Sequence, residues 1–350
     1  MKSKKYIYSK VADAIVERIV DRTYKVGEIL PSHRLLAEGF SVNRATVRKA
    51  IGLLEIEGVL ECVTGVGTYV RKNPRKNVLV GYLVKTLNDP FHIELIRELD
   101  LLLSTFNAGL IVAEGNDTAR LIENGVTKII LAGQFCSTVR KWDVDCEIVS
   151  MGLEDFPQKS VSIDNRKGMQ LLYDHLKTLG HARLAFLSSS VVEIPVSTDL
   201  RYNYLLNEVK TKEEKTFLKN HVYHFNIQDE REHKKVIEQI LSLPTRPTTL
   251  LCHSDWVAVE VLQKTLSMGV RVPEDLSITG FDNIYLSRIV PVPLTTINYP
   301  KKDAAEKLLR LLFSEQRERV HLSCEPELLI RDSTGLCSSE SAIRNTNKGR

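Results

Sequence analysis

The chain has 350 residues, of which 43% are hydrophobic and 26% are charged, and its formal net charge is +4. These proportions are ordinary for a globular protein and exclude a chain that is disordered throughout. The length is too great for one ordinary core and suits a small domain joined to a larger, two-lobed one. The sequence contains no apolar run of the roughly 20 residues that a membrane-spanning helix needs, so we expect no membrane partner.

The positive charge is concentrated at the start of the chain. Residues 1–77 contain 15 Lys and Arg against 8 Asp and Glu, which leaves the remainder slightly acidic. A basic head on a nearly neutral body indicates that the head binds a polyanion. The six cysteines form no Cys-x-x-Cys pair, and the sequence opens without a signal peptide. We therefore expect reduced thiols and a cytoplasmic location.

The first part of the chain predicts three helices. Tyr8–Arg22 carries apolar residues at every fourth position, as one face of an amphipathic helix does. Ser32 is a suitable N-cap for a short second helix, and Asn43 is a suitable N-cap for a third. Gly58 would end the third helix in a left-handed conformation.

A β-hairpin is predicted to follow the helices. Val59–Cys62 and Thr68–Val70 have the composition of strands, joined through Gly65-Val66-Gly67. Helix, helix-turn-helix and hairpin in this order predict an N-terminal winged helix-turn-helix domain over residues 1–71. Residues 72–77 are polar, basic and contain a proline, which suits a linker.

From Val78 onward, apolar segments of strand length alternate with helical patterns, which is typical of α/β domains whose parallel sheets are covered on both faces. The predicted strands are 78–84, 110–113, 128–131, 161–163, 184–187, 249–252 and 277–279. The predicted helices are 91–106, 166–179, 230–241, 256–268 and 301–313. The tail at 335–350 is polar, and we expect it to be disordered.

The outer face of the third predicted helix carries hydrogen-bond donors. Arg44, Thr46, Arg48 and Lys49 lie at or near its N-terminal turn, where recognition helices approach the major groove of DNA. Arginine can bind guanine in a bidentate manner or hold a phosphate, and the sequence does not decide between the two. The alternative is a solvated charged face, which is the simpler interpretation for Arg48 taken alone.

The complete string of motifs in the head resembles the GntR-type winged helix. The motifs are Gly27-Glu-Ile-Leu-Pro-Ser32, Leu36-Ala-Glu38, Val42-Asn-Arg-Ala-Thr-Val-Arg48, Leu54-Glu-Ile-Glu-Gly58 and Gly65-Val-Gly-Thr-Tyr-Val70. The resemblance implies binding to a double-stranded DNA operator, with the wing tip at the minor groove. The DNA-binding candidates are Arg34, Asn43, Arg44, Thr46, Arg48, Lys49, Gly65 and Gly67. Val66 stands where the family commonly has Arg, which weakens the case for a specific contact by the wing.

Three stretches of the body resemble the sensor domain of the LacI/GalR family, which is itself similar to periplasmic sugar-binding proteins. They are 161–187, 250–282 and 293–334, and they include Gly280-Phe-Asp282 and Pro293-Leu-Thr-Thr-Ile297. The resemblance implies a ligand-sensing domain over residues 78–334, made of two Rossmann-like lobes linked by three crossing strands. A GntR head on this body resembles the arabinose-repressor-like group. The ligand would lie in the cleft between the lobes, and the lobes would form a homodimer.

Four residues are candidates for contact with the ligand. Arg201 and Asp282 match the family's ligand-contacting Arg and Asp, and their chemistry suits sugar hydroxyls. Asp282 could instead cap the next turn, and Arg201 could be a solvated helix residue. Ser254 stands where many relatives have a ligand-binding Asn. Phe91 could stack on an apolar sugar face, although a place in the core is equally compatible with its position.

One structural assignment and one departure from the family complete the expectations for the body. Asp255 is expected to be structural, as the N-cap of a helix that begins at Trp256, which could itself contact the ligand or belong to the core. Between Leu110 and Ile130 only Thr118–Asn124 is available for a helix, so the first lobe is expected to be trimmed. A full helix that could make the family's usual dimer contact there is therefore not expected.

Catalytic, cofactor and metal motifs are not found in the sequence. Gly65-Val-Gly67 lacks the third glycine of a dinucleotide loop, and no P-loop, Gly-x-Ser-x-Gly or His-Glu-x-x-His string is present. We therefore predict no cofactor, no metal and no enzymatic activity. The leading interpretation is a transcription repressor controlled by a small molecule, with a monosaccharide as its effector. The alternatives are a non-sugar effector such as a purine, a sugar-binding carrier, or an α/β enzyme.

Overall fold

The computed structural model describes residues 6–71, 78–105, 108–115, 118–132, 146–152, 156–189, 199–227, 229–314 and 318–337. The expected linker at 72–77 lies outside these residues. The chain divides into two compact units, the first built from residues 1–79 and 106–109 and the second from residues 80–105 and 110–350. None of the described helices is long and apolar enough to cross a membrane.

The first unit is a three-helix head with a two-stranded wing. Its helices are α1 (Ile7–Val20), α2 (His33–Gly39) and α3 (Arg44–Ile56), and its strands are β1 (Leu60–Val63) and β2 (Gly67–Val70). The two strands pair in antiparallel register from Leu60 opposite Val70 to Val63 opposite Gly67. Apolar faces of the three helices and of the wing share one core, whose buried members include Ile15, Leu36, Val47, Leu54 and Val70.

The predicted caps of the second and third helices in the head are confirmed, whereas the first helix ends at Val20 and not at Arg22. The Ser32 hydroxyl accepts a hydrogen bond from Leu35 N–H at 3.4 Å, and the Asn43 carboxamide accepts one from Thr46 N–H at 2.7 Å. These bonds satisfy N–H groups that have no partner within the first turn of a helix. Gly58 has φ +66°, the left-handed conformation that terminates α3.

The first lobe of the second unit contains a six-stranded sheet. Its strands are β3 (Val78–Val84), β4 (Ala108–Glu114), β5 (Lys128–Ala132), β6 (Glu147–Met151), β7 (Lys159–Ile163) and β13 (Val320–Cys324). They lie in the order β13-β7-β6-β5-β3-β4. The helices α4 (Pro90–Thr105) and α12 (Lys301–Leu312) pack against each other, and α12 also packs on β5, β6 and β7. Between Leu110 and Ile130 the described residues form one short helix, α5 (Thr118–Glu123), as expected for a trimmed lobe.

The second lobe contains the other six-stranded sheet. Its strands are β8 (Leu184–Ser189), β9 (Val222–Phe225), β10 (Thr249–Cys252), β11 (Ser277–Asp282), β12 (Thr295–Asn298) and β14 (Glu327–Leu329), in the order β14-β12-β11-β10-β8-β9. Only the pairing of β12 with β14 is antiparallel among the described strands of this sheet. Its helices are α6 (Asn165–Thr178), α7 (Leu200–Glu208), α8 (Lys212–Asn220), α9 (Glu230–Leu241), α10 (Asp255–Ser267) and α11 (Leu286–Ile289).

The chain passes between the two lobes three times. It leaves the first sheet after β7, returns to it after β12 through α12, and leaves again between β13 and β14. The expected pair of Rossmann-like lobes with three crossings is therefore confirmed. The carboxyl ends of the parallel strands β10 and β11 place His253 and Asp282 at one edge of the second sheet, where open α/β sheets bind ligands.

The first residues of the polar tail are held against the second lobe. Gly335 N–H donates to the Ser277 hydroxyl at 3.2 Å, and Cys337 N–H donates to the Leu179 carbonyl at 2.8 Å. The expected disorder is therefore wrong for residues 335–337, because their backbone groups have partners on β11 and at the end of α6. Residues 338–350 lie outside the described part of the chain.

Candidate functional site

The exposed face of α3 carries the positive charge of the head. Arg44, Arg48 and Lys49 are exposed, whereas the opposite face of the helix is buried in the core through Val47, Ala50, Ile51 and Leu54. Arg34 on α2 is also exposed and lies 3.9 Å from Glu38, one turn further along that helix. An ion pair this exposed contributes little to stability. These cations are therefore available to a polyanion.

Two DNA-binding candidates have a second, structural task. The Asn43 carboxamide oxygen accepts hydrogen bonds from both Thr46 N–H at 2.7 Å and the Thr46 hydroxyl at 2.9 Å. The two side chains therefore hold each other at the start of α3. They fix the backbone from which Arg44 and Arg48 project.

The wing tip is apolar, and its glycines are required by its backbone. Gly65 has φ +79° and Gly67 has φ +148°, conformations that residues with a Cβ rarely adopt. A Cβ at Gly67 would also come within 2.8 Å of the Ile29 side chain. Val66 between them is 56% exposed, so the wing presents a hydrocarbon surface at its tip.

Arg201 is the centre of the polar network in the second unit. Its guanidinium donates to the Asp282 carboxylate at 3.0 Å, to the Asn165 side-chain oxygen at 3.1 Å and to the His253 backbone carbonyl. It also lies over the ring of Phe281, 3.8 Å from the ring centroid. The Arg201 side chain is only 13% exposed, so the alternative of a solvated helix residue is wrong.

Asp282 ends β11 in an uncommon backbone conformation. Its φ is +105°, and that of Asn283 is +51°. Non-glycine residues with positive φ are held there only when their surroundings compensate the strain, and they cluster at functional sites. Burial raises the pKa of the Asp282 carboxyl, and the neighbouring Arg201 charge opposes that rise.

The alternative interpretation of Asp282 as the cap of the next turn is not supported by the hydrogen bonds. The N–H of Ile284, two residues further on, donates to the carboxylate of Asp255 at 3.0 Å. In this turn the backbone N–H is therefore bonded by Asp255, whereas the Asp282 carboxylate pairs with Arg201.

A His–Asp pair adjoins Arg201. The ring nitrogen Nδ1 of His253 lies 2.8 Å from the Asp199 carboxylate, which also accepts a hydrogen bond from the Ser188 hydroxyl at 3.3 Å. Burial opposes the ionisation of Asp199, but the charge and hydrogen bond of His253, aided by Arg201, lower its pKa to about 2. Asp199 also caps α7 by accepting from the N–H groups of Arg201 and Tyr202. It therefore fixes both His253 and the start of the helix that carries Arg201.

The first lobe contributes Asp89 and Phe91 to the same region. The Asp89 carboxylate accepts a hydrogen bond from Phe91 N–H at 2.9 Å. Burial raises the pKa of Asp89, whereas the Phe91 N–H bond and the positive charges of His253 and Arg201 oppose that rise. Asp89 is thus within electrostatic range of Arg201 and His253, which belong to the second lobe.

Phe91 is enclosed by side chains of the protein. It is 7% exposed, its ring centroid lies 5.0 Å from that of Tyr299, and the Lys301 ammonium lies 5.4 Å from the ring. The interpretation of Phe91 as a core residue is compatible with this burial. Its place beside Asp89 keeps it at the edge of the polar network.

The structure corrects the start of α10. The Ser254 hydroxyl accepts a hydrogen bond from Val257 N–H at 3.4 Å and is the N-cap, so the expectation that Asp255 caps this helix is wrong. The carboxylate of Asp255 is fully buried and points to Thr296 and Ile284 instead. Trp256 is half-buried and packs against the core of the second lobe.

Sequence reasoning missed four polar residues of the network: Asp89, Asn165, Asp199 and His253. Asp89 stood in the Asn-Asp-Pro string just before Phe91, and His253 directly preceded Ser254, so both were adjacent to residues that were singled out. Asn165 is 36 residues from Arg201 in the sequence, and only the fold brings it within reach of the guanidinium. Asp199 carries the signature of an ordinary helix cap, so its pairing with His253 could not be recognised from its position.

The chemistry of the network is that of hydrogen bonding. Within the described ranges, no three His, Cys, Asp or Glu side chains are grouped so as to hold a metal ion. Carboxylates from both lobes face a guanidinium and an imidazole. Carboxylates accept hydrogen bonds in the plane of their oxygens, and guanidinium donates them in a fixed fork. Such an arrangement can bind a small molecule that is rich in hydroxyl groups.

Comparison with known proteins identifies both parts of the chain. Residues 7–70 match the bacterial regulatory proteins of the gntR family, and residues 173–334 match a periplasmic binding protein-like domain. An arabinose metabolism transcriptional repressor of Geobacillus stearothermophilus is 26% identical, over 93% of this chain and 97% of the relative.

Solved structures agree in fold with the second unit. A LacI transcriptional regulator from a Rhodococcus species has a TM-score of 0.63 at 23% identity, covering 74% of this chain and 99% of that one. A LacI family regulator from Enterococcus faecium with bound ribose has a TM-score of 0.61 at 22% identity, over 74% and 100% of the two chains. The chain is therefore a DNA-binding transcription regulator that joins a gntR-type winged helix to a periplasmic binding protein-like domain.

Proposed function

We propose that the chain is a cytoplasmic repressor whose affinity for a double-stranded operator is controlled by a monosaccharide bound between the two lobes. The observation that carries the proposal is the pairing of Arg201 with Asp282 at 3.0 Å, at the carboxyl ends of the second-lobe strands and opposite Asp89 of the first lobe. The Geobacillus relative is named for arabinose metabolism, and the Enterococcus structure holds ribose. Both names support a sugar as the effector.

The charges of the network favour a neutral sugar over a sugar phosphate. Arg201 already donates to Asp282, Asn165 and the His253 carbonyl, and the Lys301 ammonium donates to two backbone carbonyls. These cations are committed to acceptors within the protein, whereas the carboxylates of Asp89 and Asp282 retain lone pairs. A neutral sugar supplies the O–H donors that those lone pairs need, and a phosphate would bring further acceptors.

In this proposal the head reads DNA through α3. Arg44 and Arg48 contact the operator, Thr46 and Asn43 hold the start of the helix, and Lys49 and Arg34 contact phosphates. The wing at Gly65 and Gly67 lies near the minor groove. We further propose that the protein is a homodimer on a pseudo-palindromic site, because a two-fold protein presents two identical recognition helices. Sedimentation of a monomer at micromolar concentration, with and without DNA, would contradict that part.

The test of the effector is a thermal-shift screen against neutral pentoses and hexoses, sugar phosphates and purines. A ligand at about 100 times its dissociation constant stabilises the folded state by about 2.7 kcal/mol, which is a readily measured shift. We expect a shift with a neutral sugar and none with the same sugar phosphorylated. A shift that is confined to purines, or to phosphorylated sugars, would overturn the assignment of the ligand. Turnover of the bound sugar would contradict the assignment as a regulator without enzymatic activity.

A further inference from the structure

Two side chains of first-lobe helices hold the second-lobe turn that follows Asp282. Glu94 lies on α4, and Lys301 is the first residue of α12, the helix that packs on the first sheet. The Glu94 carboxylate accepts a hydrogen bond from Tyr285 N–H at 2.5 Å. The Lys301 ammonium donates to the Asp282 carbonyl at 2.7 Å and to the Asn283 carbonyl at 3.0 Å. Glu94 and Lys301 also lie 3.3 Å from each other.

These contacts reach backbone atoms of the strained segment itself. Asp282 and Asn283 are the two residues with positive φ at the end of β11, and Tyr285 is the N-cap of the short helix α11 that follows. The ladder of β11 with β12 ends at Asp282 opposite Asn298, so backbone groups beyond this point need other partners. Lys301 and Glu94 supply partners to three of these groups from the other lobe.

The ion pair is sheltered enough to matter energetically. The Lys301 side chain is 10% exposed and the Glu94 side chain is 27% exposed. The Lys301 ammonium also lies over the Phe91 ring. A lysine this enclosed must keep its acceptors, since leaving a buried charge unpaired is strongly unfavourable. Separation of the lobes would break the hydrogen bond between Tyr285 N–H and the Glu94 carboxylate.

We infer that Glu94 and Lys301 are positioning residues that lock the Asp282 turn to the first lobe. In the docked arrangement they hold the backbone from which the Asp282 carboxylate reaches Arg201. The contact between the lobes thereby also sets the geometry of the ligand site. This inference rests on the proposed ligand site, but the lock itself requires neither ligand nor DNA.

The experiment therefore measures the distance between the lobes in the ligand-free full-length protein. Spin labels are introduced through unnatural amino acids at Glu123 and Gln263, exposed positions on α5 of the first lobe and α10 of the second. Pulsed EPR distance distributions are compared for the unmodified sequence, Glu94→Gln and Lys301→Met. Glu98→Gln, one turn further along α4, is the matched control.

We expect one narrow distribution for the starting protein and for Glu98→Gln. Glu94→Gln and Lys301→Met should each lose that narrow population and gain one at a different distance, with unchanged helix content by circular dichroism. Gln keeps the shape of Glu, so this variant is expected to fold, but it lacks the negative charge that pairs with Lys301 in the lock. Distributions that coincide for Glu94→Gln and the starting protein would overturn the lock. The outcome is independent of the sugar screen, so failure of the lock and failure of the proposed effector can be told apart.

Discussion

The Asp255 carboxylate accepts a hydrogen bond from the backbone N–H of Ile284 at 3.0 Å, two residues beyond the carboxylate that pairs with Arg201. Its other oxygen accepts a hydrogen bond from the Thr296 hydroxyl at 2.6 Å. Asp255 thereby joins the start of α10, the turn after β11 and the strand β12. Because it is fully buried, this acid supports the ligand site through the backbone.

The buried acid should make stability depend on pH. Burial, against the hydrogen bond from Thr296, raises the pKa of Asp255 from 3.8 to about 7. Between these values the folded chain binds the proton more tightly than the unfolded chain, so the free energy of unfolding should fall as the pH rises from about 4 to about 7. The slope approaches about 1.4 kcal/mol per pH unit for one proton.

Urea unfolding across that range, compared between the wild type and Asp255→Asn, measures this dependence. Asn cannot ionise, so the variant should lack this contribution to the slope even where its stability is lower overall. The same slope in both proteins would show that Asp255 does not titrate in this range.

Gly280 should tolerate no side chain, because of the same carboxylate. A Cβ at this position would lie 1.9 Å from Oδ1 of Asp255 and 3.2 Å from its backbone Cα. We expect Gly280→Ala to lower the free energy of unfolding by about 1–3 kcal/mol, as overpacking of a core does. Gly52→Ala on α3 is the control: a Cβ there meets no atom within 4 Å, and the substitution should stabilise the helix by up to about 1 kcal/mol. Denaturation of both variants checks the pair, and loss of stability in Gly52→Ala alone would contradict the packing argument.

Arg48→Ala should remove specific DNA binding and leave the head folded. The side chain is exposed on α3 and contributes no core contact. Loss of a bidentate base contact would reduce discrimination by about 1–3 kcal/mol. Gel-shift titrations on operator and random DNA measure it, with Lys10→Ala on the exposed face of α1 as a control for lost charge. Equal operator affinity of Arg48→Ala and the wild type would remove Arg48 from the interface.

Asp282→Asn should uncouple the ligand from DNA. The substitution removes the charge that pairs with Arg201 and one set of lone pairs for sugar hydroxyls. Operator affinity without sugar should match the wild type, whereas the response to the sugar found in the screen should be lost. A ligand shifts an equilibrium only by its differential affinity for the two states, typically worth about 1–3 kcal/mol. A variant that responds at the wild-type sugar concentration would place the ligand elsewhere.

The sequence predicted the elements with strong periodicity or clear caps and missed short or irregular ones. The helix at 230–241 was predicted with its observed boundaries, and Asn43 was recognised as a cap. The strand Glu147–Met151 was missed, because five residues of mixed polarity carry little signal. The exchange of roles between Ser254 and Asp255 could not be foreseen, since two adjacent capping residues are equivalent until the tertiary partners of each are known.

The residues of the candidate site also divide into those with a clear signal in the sequence and those without one. Arg201 and Asp282 stood in recognisable strings, and the fold brings them within 3.0 Å of each other. Glu94 and Lys301 belong to ordinary amphipathic helices, where a charged residue is expected on the outer face. Their partners are backbone atoms in another lobe, and a sequence pattern carries no information about such contacts.

The pairing of β13 with β7 has a consequence for how the protein is made. The first sheet acquires its edge strand only when residues 320–324 join residues 159–163. During synthesis, the winged helix can fold as soon as its residues leave the ribosome, whereas the first lobe must wait for nearly the whole chain. A ribosome that stops before Val320 would therefore release a competent DNA-binding head without a finished sensor. DNA binding by such a fragment would not respond to the effector. The late strand β13 therefore makes completion of translation a condition of ligand-regulated binding.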